Sequence, residues 1–240
     1  LEMLKYFLEE ASADPTKKSS NGETIWHFAI RSKNKAIIQY LLEKIQVLNT
    51  INRQKESVLD LVVKQEDFSL LKKLLEKGFK RVNLFEATKN TTIFVELIAK
   101  ISSLHIYAQN DEGQTLLHAA CRNENIGLVK SLLSDGFNVN KVDKKGRAPI
   151  HMAIKTANLS LISLLVNSGA LLSPVRKLWN IKQQQFAPVI HEALYTEDPA
   201  IISYLIAKGA DLNVQEHSGL NAFGLAVKLK LSDNILMELV

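Results

Sequence analysis

Apolar positions along this chain fall into short stretches of helical period that alternate with polar turns. Between residues 113 and 140, a first stretch carries Leu117, Ala120 and Cys121. A second carries Leu128, Val129, Leu132 and Leu133 at 3.6-residue spacing, and Gly136 follows as a C-terminal cap. The pattern predicts two short helices joined by a turn, and it recurs. GQTLLHAACRNENIGLVKSLLSDGFNVN, starting at Gly113, aligns without a gap to GRAPIHMAIKTANLSLISLLVNSGALLS, starting at Gly146, with His118 and His151 33 residues apart. The same frame fits around His27 and His191 and, more faintly, around Asp60, Phe85 and Gly224. These anchors are separated by steps of 33, 25, 33, 33, 40 and 33 residues. One helix pair cannot bury its own apolar stripe, so the units are expected to stack on a shared core.

The residues around the anchors carry a resemblance. G-x-T-x-L-H-A-A over Gly113 to Ala120, closed by L-L-x-x-G at Leu132 to Gly136, resembles the ankyrin repeat. Ala148-Pro149-Ile150-His151 keeps that family's Pro and His, and Gly209-Ala210-Asp211-Leu212-Asn213 resembles its hairpin ending. The resemblance implies an all-α ankyrin-repeat solenoid of about seven helix–turn–helix units with protruding hairpin loops, one domain over 1–240. It is strongest in the fourth and fifth units and fades at Asp60, Phe85 and Gly224. Residues 1–13 are expected to be the outer helix of a preceding unit. Because LEMLKYFLEE reads as the middle of an amphipathic helix, the chain is expected to be a fragment of a longer protein.

Composition agrees with this picture. In 240 residues, 46% apolar and 23% charged content is that of a folded domain, and ten Gly and five Pro are too few for a turn-rich all-β fold. One cysteine excludes an internal disulfide framework and a thiolate-rich zinc site. No apolar run reaches the roughly 18 residues of a membrane span, and acids stand where a secretory leader would be basic.

Candidate chemistry is sparse. Four of the six histidines are anchors; helices stack about 8–10 Å apart, too far for several anchors to reach one zinc ion. The resemblance implies instead that each anchor histidine bonds backbone and links adjacent hairpins. His105 and His217 stand alone. Cys121 lies three residues after His118, but it fills the small apolar position held by Ile30, Val63 and Ile154 elsewhere, so a core cysteine is expected rather than a nucleophile. No phosphate loop or H-E-x-x-H motif occurs. The chain is therefore expected to be no enzyme and to need no metal or cofactor.

Charge points to a binding surface. The net charge is only +5. Four residues past each anchor stand Arg31, Lys64, Lys89, Arg122, Lys155, Tyr195 and Lys228, a row that is cationic in six of seven units. By the resemblance this row lines the concave groove. Two readings stand: a basic groove for an anionic partner, or a face kept basic for solvation. The hairpin before the fifth unit holds Lys141, Lys144, Lys145 and Arg147 against Asp143, a net +3. The 40-residue step inserts a finger with Arg176, Lys177 and Lys182 and no acid, another +3. That finger carries Trp179 and Phe186, either stapling the loop to the stack or anchoring a contact. Asn49, Asn140 and Asn213 fall 22 residues after anchors; they bond turn backbone, or, by the resemblance, are hydroxylation sites for an asparaginyl hydroxylase.

These features predict a non-catalytic, monomeric scaffold that binds another protein, with acidic or phosphorylated segments favoured because Arg and Lys pair with carboxylate and phosphate. Direct binding of nucleic acid or anionic lipid is the alternative; nucleic acid is disfavoured because the 7% aromatic residues do not interleave with the basic row. A third reading is a docking module for a catalytic domain elsewhere in the parent protein. A cytoplasmic location is expected. The Lys-, Asn-, Ile- and Gln-rich composition is similar to that of bacterial ankyrin effectors, which would place the chain in host cytoplasm.

Overall fold

The computed structural model describes residues 1–90, 93, 94, 97, 109–173, 188–215 and 218–240. The chain divides into two compact units, 1–106 and 107–240. Among the described residues both units are built from helix pairs, with one isolated antiparallel bridge between Ile51 and Ser57.

The first unit opens with α1 (Glu2–Lys5), continued by a π-helical turn over Tyr6–Glu10. This segment is tied to the next helix pair by the Tyr40 hydroxyl, which donates to Glu9 at 2.8 Å. Two complete pairs follow: α2 (Ile25–Ser32) with α3 (Lys35–Lys44), and α4 (Val58–Lys64) with α5 (Phe68–Lys77). The third anchor lies in the short α6 (Leu84–Ala87). In the second unit the pairs are α7 (Leu116–Arg122) with α8 (Ile126–Ser134), α9 (Pro149–Lys155) with α10 (Leu159–Asn167), α11 (Val189–Leu194) with α12 (Pro199–Ala207), and α13 (Ala222–Leu229) with α14 (Asp233–Glu238). Inner helices stack on their successors, α2 on α4 on α6 in the first unit and α7 on α9 on α11 on α13 in the second.

Local chemistry explains why the helices are so short. Outer helices begin at side chains that accept their free N–H groups: Asn34, Asp67, Asn125, Asn158 and Asp198. One residue earlier the chain turns left-handed at Lys33, Glu66, Glu124, Ala157 and Glu197, which stops the inner helix. Apolar residues on both helices face the core; Leu117, Leu132, Ile150 and Leu165 are all buried. Each such side chain contributes about 2 kcal/mol through burial. Trp26 is fully buried in the first unit, edge-on to Phe79 with ring centroids 5.0 Å apart, and its indole N–H donates to the Gln46 carbonyl.

The anchors join one repeat to the next. His118 Nδ1 accepts the Thr115 N–H at 3.1 Å, and its Nε2 donates to the Arg147 carbonyl at 2.9 Å. His27 repeats this with Thr24 and the Glu56 carbonyl, and His191 Nε2 reaches the Leu220 carbonyl. Each bond spans 29 residues. Asp60 reverses the polarity. A carboxylate can only accept, and it takes the Ser57 N–H at 2.7 Å and the Asn83 N–H at 2.5 Å. The aspartate thus bonds the cap of the next inner helix in the shortened 25-residue step, where a histidine would need a carbonyl.

Candidate functional site

Three of the hairpins that lead into inner helices are each folded by a polar side chain eight residues before the anchor. Asn52 Oδ1 accepts the Glu56 N–H, Asn110 Oδ1 accepts those of Glu112 and Gln114, and Asp143 Oδ1 accepts those of Lys145 and Arg147. Neighbouring hairpin tips are linked as well: the Lys144 N–H donates to the Glu112 carbonyl, and the Arg53 N–H to that of Asn21. Gly113 sits at such a tip with φ of +79°, and a Cβ there would lie 3.0 Å from the Lys144 nitrogen. Side chains four residues before and four after the anchor are thereby held side by side.

In the first unit this arrangement neutralises the cationic row. Arg31 pairs with Glu23 at 3.0 Å and with Glu56 at 2.9 Å, and Lys64 meets the other oxygen of Glu56 at 2.6 Å. Hydrogen bonds from Lys64 and then Asn52 hold the Glu56 carboxyl below its ordinary pKa, and Glu56 in turn raises that of Lys64. Lys89 pairs with Glu86. Every cation of the row in this unit therefore has a carboxylate.

The second unit differs. Arg122 is exposed and donates to the neutral Gln114 amide, which stands where Glu23 and Glu56 stand in the first unit. Lys155 meets Glu192 at a longer 3.3 Å. Lys228 is exposed and has no ion pair among the described residues, while Tyr195 shows an exposed ring in the same row. On the hairpin Arg147 is turned inward, bonding the buried Asp143 through Nε and Nη2 at 2.9 and 2.7 Å. Burial of Asp143 works against its charge, but the bonds from Arg147 and the Lys145 backbone outweigh it and lower its pKa. Lys144 and Lys145 remain exposed at the tip. Arg176, Lys177, Trp179 and Lys182 lie outside the described residues.

The asparagines divide similarly. Asn49 Oδ1 accepts the Lys80 N–H, and Asn140 Oδ1 accepts the Leu171 N–H while its amide donates to the Gly169 carbonyl. Both thus tie one hairpin to the next across 31 residues. Ser173 does the same for the Asp211 N–H. Asn213 is exposed and its backbone N–H donates to Asp211.

Catalytic chemistry finds little support here. Cys121 is fully buried, and burial drives its thiol far above the ordinary range, keeping it protonated. Burial also lowers the His27 and His118 imidazoles below the ordinary histidine value, and both ring nitrogens of each are bonded. Among the described residues no cluster of three His, Cys, Asp or Glu side chains could hold a metal ion. None of their helices is long and apolar enough to cross a membrane.

The row cations were legible from spacing; their counter-charges were missed. The signal was present in the same phase, since Glu23 and Glu56 stand eight residues before Arg31 and Lys64.

Comparison with known proteins agrees with this architecture. A family model described as ankyrin repeats (3 copies) matches residues 1–86 and 84–176. Among matching solved structures is the crystal structure of the ankyrin repeat domain of Bcl-3, described as a unique member of the IkappaB protein family. It is 22% identical, covers 92% of this chain and 99% of its own, and superposes with a TM-score of 0.67. No curated protein matches the chain.

Proposed function

Because the chain belongs to the ankyrin repeat family, whose helical solenoids are protein-binding and generally non-catalytic scaffolds, we propose that it recognises an acidic or phosphorylated segment of another protein. The contact surface is the inner-helix row and hairpin tip of the second unit. One observation carries this reading. Equivalent positions are charge-compensated in the first unit, yet in the second Arg122 faces an amide and Lys228 has no counter-charge among the described residues. Lys144 and Lys145 extend that surface on the hairpin, and Lys155 and Tyr195 lie between. Guanidinium and ammonium groups without an internal carboxylate are available to carboxylate or phosphate. Arg176, Lys177, Trp179 and Lys182, on the inserted finger, belong to the same proposal. A cytoplasmic setting fits a chain whose one cysteine is a buried, protonated thiol.

An array of acidic, phosphorylated and neutral peptides tests the reading. The chain should bind acidic or phosphorylated spots, and the combined variant Arg122→Glu, Lys144→Glu, Lys228→Glu should lose that binding by tenfold or more, about 1.4 kcal/mol. Binding that is indifferent to peptide charge, or that survives the triple variant at low salt, would reject it. A steep salt dependence with random DNA, near −5 in log K against log salt for about six phosphates, would favour nucleic acid instead.

A further inference from the structure

The outer helices of the first unit border a cleft whose chemistry the second unit does not repeat. It lies between α3 and α5, holds about 420 Å³, and sets Lys33, Lys35 and Lys73 around a floor of Ile38, Leu42 and Leu70. Two hydrogen bonds tie its walls together. The Gln65 amide donates to the Ile30 carbonyl at 3.1 Å, and the Lys77 ammonium donates to the Leu42 carbonyl. All three lining lysines are exposed, and none of their ammonium groups pairs with a carboxylate among the described residues. Asp67 also lines the cleft, but its Oδ1 is engaged at the start of α5, where it accepts the Leu70 N–H at 2.9 Å. The outer face of this unit is therefore uncompensated, although its inner row is paired.

The left-handed turn and the cap of the next outer helix fix the equivalent positions elsewhere. Between α8 and α10, the places of Lys33, Lys35 and Lys73 are taken by Glu124, Ile126 and Leu164, and between α10 and α12 by Ala157, Leu159 and Tyr204. Glu124 also accepts a hydrogen bond from the Asn158 amide at 2.9 Å, bridging the rim of its junction. Lys33 and Asp67, at the same two positions, make no such pair. The three cations thus belong to this one junction and not to the repeat.

We propose that this cleft is a separate docking site, for a short acidic segment of a partner protein that sets one apolar side chain between carboxylates. The apolar side chain covers the floor while the carboxylates meet Lys33, Lys35 and Lys73. Both halves of that chemistry are needed. A cluster of phosphates satisfies the ammonium groups but leaves the floor wet, and a flat bilayer surface does not reach it. Ile38 and Leu70 are already buried and Leu42 is half-buried, so the floor has room for one side chain, not for the face of a helix. The site is built within the first unit and does not depend on the inner row of the second.

Fluorescence anisotropy of a labelled peptide, a leucine flanked by glutamates on both sides, tests this on the whole chain. The background is the chain carrying Arg122→Glu, Lys144→Glu and Lys228→Glu, so that the inner-row surface does not supply the signal. The peptide should bind that background, and adding Lys35→Glu and Lys73→Glu should weaken it by about tenfold or more. Both positions are exposed, and an acid in place of Lys35 suits the first turn of α3, so circular dichroism should be unchanged. Replacing the peptide leucine by serine should cost about fivefold. A background chain that does not bind the peptide overturns the cleft and leaves the inner-row reading standing. Equal binding by wild type and background, lost with Lys35→Glu and Lys73→Glu, supports the cleft and counts against the row. Binding indifferent to those two lysines, or to the leucine, overturns the proposal. So does capture of phosphatidylserine vesicles through the same lysines by a chain that ignores the peptide.

Discussion

Residues 1–106 and 107–240 repeat the same helix pair but differ at two equivalent places. In the first unit the second anchor is Asp60, an acceptor, and the basic row is matched by Glu23, Glu56 and Glu86. In the second unit His118 donates across the junction and the row meets an amide at Arg122. The fold is indifferent to which polar group joins two repeats, provided its donor or acceptor character matches what the next hairpin offers. The surface is not indifferent, because removing one carboxylate leaves a cation available to a partner.

The strongest way to break the comparison is to exchange the anchors. His118→Asp would set a buried carboxylate against the Arg147 carbonyl, two acceptors with no proton between them. A loss of about 4 kcal/mol in urea unfolding is expected. Asp60→Asn preserves shape and one accepting oxygen, so one of the two N–H groups from Ser57 and Asn83 loses its partner. About 2 kcal/mol is expected there. Equal losses at both sites would show that polarity matching is irrelevant.

Protonation tests the histidine anchors without mutation. His27 and His118 have folded pKa values below 6.5, burial being the main cause, so the unfolded chain binds protons more readily. Stability should therefore be full above about pH 6.5 and fall as pH drops from there toward the folded values, by at most about 1.4 kcal/mol per pH unit for each histidine. His118→Gln should flatten that slope. Asp143 acts lower: its folded pKa lies below 3.8, so its contribution holds above that value and disappears as pH falls through the folded pKa.

Much of this was readable from the chain itself. The phase of Leu117, Ala120, Cys121 and their equivalents located every inner helix, because stacked repeats must bury the same positions. The direction of the bond at Asp60 was not readable, since spacing records where a side chain lies and not which backbone atom it meets. The recurrence of cations at Arg31, Lys64 and Arg122 is visible as spacing, but its neutralisation depends on hairpins that fold −4 and +4 positions against each other. Sequence distance hides that adjacency. The left-handed turn residues were hidden for another reason: Lys33, Glu66, Glu124, Ala157 and Glu197 include no glycine, the residue that ordinarily marks a positive φ in a sequence.

Glu56→Gln sharpens the contrast on the surface. It removes the counter-charge shared by Arg31 and Lys64 and should make the first unit resemble the second. Stability should fall by about 1 kcal/mol, the usual worth of partly exposed pairs. Acidic-peptide binding should strengthen and its salt dependence steepen, measured by titration at two ionic strengths. Unchanged binding would mean that compensation does not govern where an anionic partner docks.

The smallest effect concerns a feature both units share. Ala157 adopts φ of +52° at the turn between α9 and α10, the position held by Lys33 and Glu66 in the first unit. A Cβ in the left-handed region crowds the following carbonyl, at a cost of roughly 1 kcal/mol that only glycine escapes. Ala157 is exposed, so its methyl group adds little packing that could be lost. Ala157→Gly relieves the strain but gives the unfolded chain more freedom, an opposing term of roughly half that size. A net gain of about 0.5 kcal/mol is expected, read as a higher urea midpoint with an unchanged slope. The same change at Lys33 should give a similar gain if the turn strain is common to both units. A gain in one unit alone would mean that the two turns, alike in backbone angle, are held by different surroundings.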